Sequence, residues 1–323
     1  MRRLRVTPGI VRAVALAAVV GYALLVITGG AVRLTDSGLG CPDWPSCYQH
    51  RLTAAVSFHP MVEFLNRMFT IAVSVLSIMA GAAAVLRNPR RRDLTWLAGG
   101  LIAGLVAQIV LGGLVVLFKL NPYLVAFHFL LTIIVLAVAI VMFQRAGIPD
   151  SAASASAASP LVGSDLRWLT RLLLGALALV STVGTIVTGS GPHAGGSGTR
   201  RIPVAFHDIA EFHSSFAWLL FGLTAASLFA FHHAGAPEVV QRRLRLLFEV
   251  MFVQGALGYT QYFLHDSPIV VEFHLAGVTT LWILAVGVYL SLDAHTPLAP
   301  TGVEQPTHEP ARLFRHRAPA PVG

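Results

Sequence analysis

The sequence predicts an all-α integral membrane protein, with eight transmembrane helices forming two four-helix bundles related by a pseudo-two-fold axis. Three observations carry that expectation: scarce charge, apolar blocks of spanning length, and an internal repeat. Of 323 residues, 55% are hydrophobic and only 12% are charged, against about 25% charged in a soluble domain. Ala13 to Val32 runs 20 residues without a charge and Leu94 to Phe118 runs 25; about 20 apolar residues cross a bilayer core. The first block begins after arginines, as a signal peptide does, but it is longer than a signal core and no A-x-A site follows.

Eight spans follow in order, at 11–32, 63–86, 95–118, 122–143, 168–189, 207–231, 244–264 and 270–292. With the N-terminus in the cytoplasm, the inner segments hold 17 of the 23 Lys and Arg residues. The outer side keeps Arg33, Arg51, Arg67, Lys119, Arg200 and Arg201. By the positive-inside rule both termini are then expected in the cytoplasm of a plasma-membrane protein. The net charge of +8 is accordingly a topology signal and not a nucleic-acid footprint.

The repeat is read from four matches in one order. Gln108-x-x-Leu111-Gly112 returns as Gln254-x-x-Leu257-Gly258, and Phe127-His128 as Phe273-His274, both at an offset of 146. Phe58-His59 with Glu63-Phe64 returns as Phe206-His207 with Glu211-Phe212 at 148, and Thr28-Gly29 as Thr188-Gly189 at 160. Each half holds an even number of spans, so the halves insert in the same orientation, as in parallel-repeat membrane proteins. The expected organisation is an N-terminal half over 1–143, a flexible cytoplasmic linker over 144–166 containing SAASASAASP, a C-terminal half over 167–292 and a disordered cytoplasmic tail over 293–323.

Polar groups inside a membrane are costly and usually functional, and here they gather at one depth near the outer leaflet. Glu63, Asn66 and Arg67 open span 2, His128 lies in the second turn of span 4, Glu211 and His213 start span 6, and Glu272 and His274 start span 8. His213 and His274 lie at like depth on even spans of one half, which suits a bis-histidine haem site. The alternative for any one of them is a hydrogen-bonded structural histidine. In the first half His128 has no histidine mate on span 2. Asn66 stands at the expected depth and His59 lies just before the span. A haem there would be held on one side only. Glu63 reads either as a proton acceptor in a low-dielectric pocket or as a carboxylate paired with Arg67 at i+4. Arg33 and Arg67 are placed to meet propionates with their planar forks, or are ordinary interfacial arginines. Cys41 and Cys47, the two cysteines of the chain, fall in an outer loop where disulfides persist; two free thiols are the alternative.

The stretch TGGAVRLTDSGLGCPDWPSC from Thr28 to Cys47 resembles the first outer loop of haem A synthases. So do EFLNR at Glu63 to Arg67, QIVLGG at Gln108 to Gly113 and the histidines on spans 4, 6 and 8. The resemblance covers roughly residues 10–292. It implies oxidation of a ring methyl of haem O to a formyl group, through a hydroxymethyl stage, giving haem A for terminal oxidases. It implies His213 and His274 as ligands of a resident haem b and His128 as the iron ligand on the side of the haem O substrate. Glu63 matches the helix 2 carboxylate, with Asn66 beside it on the catalytic side, and Cys41–Cys47 matches a loop disulfide. Many members carry histidine where this chain has Asn66. The partners so implied are a haem O synthase, a redox partner and the lipid bilayer. Two other readings are a b-type electron-transfer cytochrome and a transporter for haem or another small molecule.

Overall fold

The computed structural model describes residues 5–294 apart from 50, 155–158 and 197. Most of the expected tail, 295–323, and the middle of the expected linker, 155–158, lie outside the described residues. The described chain is all helical apart from isolated bridges and one two-residue pairing. It has eight long helices: α1 (Pro8–Leu34), α2 (Phe58–Leu86), α3 (Arg92–Leu117), α4 (Pro122–Ala146), α5 (Ser164–Ser190), α6 (Phe206–His233), α7 (Glu238–Phe263) and α8 (Pro268–Leu290). Seven are long and apolar enough to cross a membrane, so this is a multi-pass membrane protein. The exception is α7, which has the length, at 26 residues, but carries Arg242, Arg243, Arg245, Glu238 and Glu249 in its first half.

Local sequence explains several helix starts. Pro8, Pro122 and Pro268 stand at the first helical positions of α1, α4 and α8, where a missing N–H costs nothing. The side chain of Asn121 also accepts the Tyr123 N–H at the start of α4. α2 begins at Phe58, five residues earlier than the apolar pattern alone indicates, so His59 lies in its first turn. Between α4 and α5 the chain forms a single helical turn, Asp150–Ser154, and the strand Ser159–Pro160, which pairs antiparallel with Asp293–Ala294 beyond α8.

α1 packs on α2 and α4, and α3 also packs on α2 and α4. α6 packs on α5 and α7, and α8 on α7 and α5. α8 further contacts α1 and α4, and α4 contacts α5. Small residues let these helices approach, as membrane packing requires. Ala15, Ala18, Ala80, Ala84 and Ala139 are buried, and a Cβ at Gly104 would stand 2.6 Å from Val135 Cγ2. A buried bond between Tyr22 Oη and Ser77 Oγ, 2.9 Å long, links α1 to α2.

The apolar packing is concentrated at one end of the molecule. One cluster joins Val11 and Ala15 of α1, Ala83 of α2, Leu94 of α3 and Met142 of α4. A second joins Leu173 of α5, Phe231 of α6, Leu244 of α7 and Leu292 after α8. All lie toward the end where α1 begins. Toward the other end a cavity opens.

Candidate functional site

The cavity measures about 1580 Å³ and is lined by residues of all eight long helices and of the loop between α1 and α2. A typical small-molecule pocket holds roughly 300–1,000 Å³, so there is room for more than one sizeable ligand. The space is continuous across both halves of the chain, which the sequence pattern did not indicate.

His128 from α4, His213 from α6 and His274 from α8 all line it. Each ring rests on a glycine of the preceding helix. A Cβ would stand 3.2 Å from His128 Cε1 at Gly112, 3.1 Å from His213 Cε1 at Gly184 and 3.4 Å from His274 Cε1 at Gly258. Nδ1 of His128 and of His274 is buried without a hydrogen-bond partner. Among the described residues no three His, Cys, Asp or Glu side chains gather closely enough to hold a bare metal ion. The chemistry on offer is therefore single imidazoles spaced around a large apolar space.

Glu63, Asn66 and Arg67 of α2 also line the cavity, and here the structure separates readings that the sequence left open. Glu63, only 4% exposed, is ion-paired with Arg67 at 2.6 Å. Its Oε1 accepts from Arg67 Nε and Nη2, and its Oε2 accepts the Cys41 N–H at 2.8 Å. Arg67 donates further to the carbonyls of Asp43 and Ser46 through Nη1 and of Cys41 through Nη2. Arginine has five N–H donors. All five are engaged in this arrangement, so Arg67 keeps none for an anionic ligand. Arg33 donates from Nε to the His193 carbonyl at 2.6 Å and from Nη2 to the Thr188 carbonyl at 2.7 Å. It fastens the end of α1 to the end of α5.

Asn66 Oδ1 is buried and unpartnered, whereas Leu65, the repeat counterpart of His213, is 59% exposed on the outside of the helix. His59 does not line the cavity. Its Nδ1 pairs with Ser37 Oγ at 3.1 Å, and its backbone packs against Gly40, where a Cβ would meet the carbonyl oxygen.

Cys41 and Cys47 form a disulfide. Between them Trp44 reaches the cavity wall and lies on Gly113 of α3. Sequence reasoning did not single out Trp44, although its place inside the cysteine pair was a usable signal. It also did not single out Tyr259 of α7, whose hydroxyl accepts from Trp218 Nε1 at 2.9 Å and pairs with Ser214 Oγ of α6 at 3.3 Å.

The sequence model of a family described as cytochrome oxidase assembly protein, COX15-CtaA, matches residues 12–195. This chain belongs to that family. The match takes in α1 to α5, with the disulfide loop, Glu63, Asn66 and His128. Among individual relatives, the chain is 39% identical over 107 residues to the heme A synthase of Geobacillus kaustophilus, covering 32% of this chain and 33% of that protein. It is 28% identical over 157 residues to the heme A synthase of Lysinibacillus sphaericus, covering 48% and 50%. The matched stretches thus span half or less of these relatives' lengths.

Proposed function

We propose that this protein is a haem A synthase, which oxidises a ring methyl of haem O to a formyl group. The observation that carries the reading is a large cavity in which three histidines, each seated on a glycine, face one apolar space. Family membership and the names of the relatives support the same reaction. In the proposed arrangement the chain spans the plasma membrane eight times, α7 included, with both termini in the cytoplasm. The arginines of α7 then sit at its cytoplasmic end, as the positive-inside rule favours. Residues 1–143 and 167–292 form two four-helix bundles related by a pseudo-two-fold axis, joined through 144–166 and followed by a cytoplasmic tail over 293–323.

The donor set fits haem. Imidazole is a common axial ligand, and a glycine beneath each ring leaves it free to approach a flat ligand. His213 and His274 would hold a resident haem b, and His128 would hold the haem O substrate in the other half. Bound haem would supply the oxidising chemistry itself. The protein contributes binding, orientation and a proton acceptor.

Arg33 has Nη1 left to meet a propionate. Arg67 has no donor to spare, so it acts through Glu63 and the loop. Glu63 is the proton acceptor of the first half. Its oxygens already hold the Cys41 N–H and Arg67, so proton uptake there weakens both bonds and is coupled to the disulfide loop. Asn66 offers its free Oδ1 on the same side, where it orients water or the reacting group. Haem O arrives from a haem O synthase, and a redox partner exchanges electrons.

The deciding experiment is pigment extraction from cells with and without the chain, in a background that makes haem O. A formyl-bearing haem that appears only with the protein is expected. Haem O persisting unchanged beside a folded, haem-loaded protein would leave an electron-transfer cytochrome as the better reading.

A further inference from the structure

The repeated Gln-x-x-x-Gly motif has no role in the chemistry above, yet the structure gives it the same task twice. Gln108 Nε2 of α3 donates to the His128 carbonyl of α4 at 3.1 Å. Gln254 Nε2 of α7 donates to the His274 carbonyl of α8 at 3.0 Å. Four residues on, one turn along the same helix face, Gly112 and Gly258 lie beneath the two rings. A ligating histidine is ordinarily oriented by a hydrogen bond from its second ring nitrogen. Here that nitrogen has no partner in either ring, so orientation falls on the backbone clamp and the glycine floor. His213 shares the floor, through Gly184, but Val180 stands where the glutamine would be.

We propose that Gln108 and Gln254 are positioning residues that fix the rotation of α4 and α8, and hence the planes of the His128 and His274 imidazoles, with the His274 clamp the more dependent on its glutamine. The difference comes from the next turn of the helix. Thr132 Oγ1 also donates to the His128 carbonyl at 2.8 Å and accepts from Gln108 Nε2 at 2.8 Å. Its repeat counterpart is Val278, so the His274 carbonyl has no equivalent support. Gln254 instead lays its amide oxygen on Gly277, where a Cβ would overlap it and would displace the amide. The repeat counterpart of Gly277 is Leu131.

This inference rests on the haem reading, and its test separates the two. Full-length Gln254→Met, Gln108→Met and Gln108→Met/Thr132→Val proteins are purified with their haem. Low-temperature electron paramagnetic resonance and haem loss to apomyoglobin are then measured. Gln254→Met is expected to shift the low-spin signal and to release haem roughly 10-fold faster or more. Gln108→Met alone should change the first-half ligand little, and the double variant should change it as Gln254→Met changes the other. Gly258→Ala, which keeps the glutamine and crowds the ring, should shift the same signal if Gln254→Met does not fold. Haem-loaded wild-type protein whose glutamine and glycine variants keep its spectrum and release rate overturns the positioning role alone. A wild-type protein that binds no porphyrin overturns both.

Discussion

The indole of Trp44 lies against the backbone of Gly113 so closely that a Cβ there would stand 2.8 Å from Trp44 Cδ2. Trp44 comes from the disulfide loop and Gly113 from the cavity wall of α3, so this one contact seats the loop on the first half of the site. The repeat counterpart of Gly113 is Tyr259, which in the second half joins α6 to α7 through its hydroxyl. The same position is therefore filled by a helix side chain in one half and by a loop side chain in the other. Gly113→Val should unseat Trp44 and lower haem A formation by about ten-fold or more, because small displacements at a positioned substrate are costly. The haem spectrum contributed by the second half should be unchanged. Normal turnover in Gly113→Val would show that Trp44 is not a working part of the site.

The loop is held at both ends of its short cycle. The disulfide closes it, and Arg67 gathers three of its carbonyls. In the chain-entropy model a loop this small contributes roughly 2 kcal/mol. Native protein should show no thiol reactive to a maleimide until it is reduced, since the sequence holds only these two cysteines. Cys41→Ser and Cys47→Ser should lower the thermal midpoint and expose the loop to protease. Arg67→Lys should loosen the same loop without touching the disulfide, because an ammonium has three donors against five. Equal protease resistance in Arg67→Lys and wild type would remove Arg67 from this role.

Much of this was readable in advance, and the exceptions have physical reasons. Apolar blocks announce helices because lipid admits few other ways to satisfy a backbone, and seven long helices meet that criterion. α7 does not, since Arg242, Arg243 and Arg245 load its first turns and Glu249, Gln254 and Gln261 dilute the rest. The histidines were legible because a polar group amid apolar residues stands out in a linear sequence. Their glycine floors were not, because Gly112, Gly184 and Gly258 become meaningful only when a second helix is laid across them. Arg67 illustrates the limit of residue type as a guide. A guanidinium there suits a propionate, but three of its five donors are filled by carbonyls 21 to 26 residues away in a folded loop, and the other two by Glu63. His59 likewise takes its place from the fold: it lies off the cavity wall, with its Nδ1 on Ser37 Oγ.

The second-half assignment rests on His213 and His274, and Gly184 offers a test that leaves both in place. His213→Ala or His274→Ala should abolish the bis-histidine low-spin spectrum. Gly184→Val crowds the His213 ring, since even a lone Cβ at Gly184 would stand 3.1 Å from His213 Cε1. It should shift or weaken that spectrum while His128-dependent binding persists. An unchanged low-spin spectrum in both alanine variants would move the resident haem elsewhere.

The last prediction concerns the division of labour between the halves. Glutamates recur at the start of α2 and α6, and histidines recur on α4 and α8, but His213 has no counterpart: Leu65 points outward and Asn66 faces the cavity. The two glutamates also differ in setting. Glu63 is buried and tied to Arg67 and Cys41, whereas Glu211 is exposed at the cavity rim. Glu63→Gln keeps the shape and still lets a carbonyl oxygen accept from Arg67, but it removes the proposed proton acceptor. It should arrest haem A formation, with a hydroxymethyl intermediate accumulating, while the second-half haem spectrum stays intact. Glu63→Ala removes the partner as well and should destabilise the protein by a few kcal/mol, since a largely buried arginine then loses its charge partner. His128→Ala should stop turnover as Glu63→Gln does, but by weakening substrate binding. Pigment analysis beside absorption spectra of the purified variants separates these outcomes. Haem A made at the normal rate by Glu63→Gln or His128→Ala, or loss of the second-half haem before activity falls, would place the reacting centre elsewhere in the cavity.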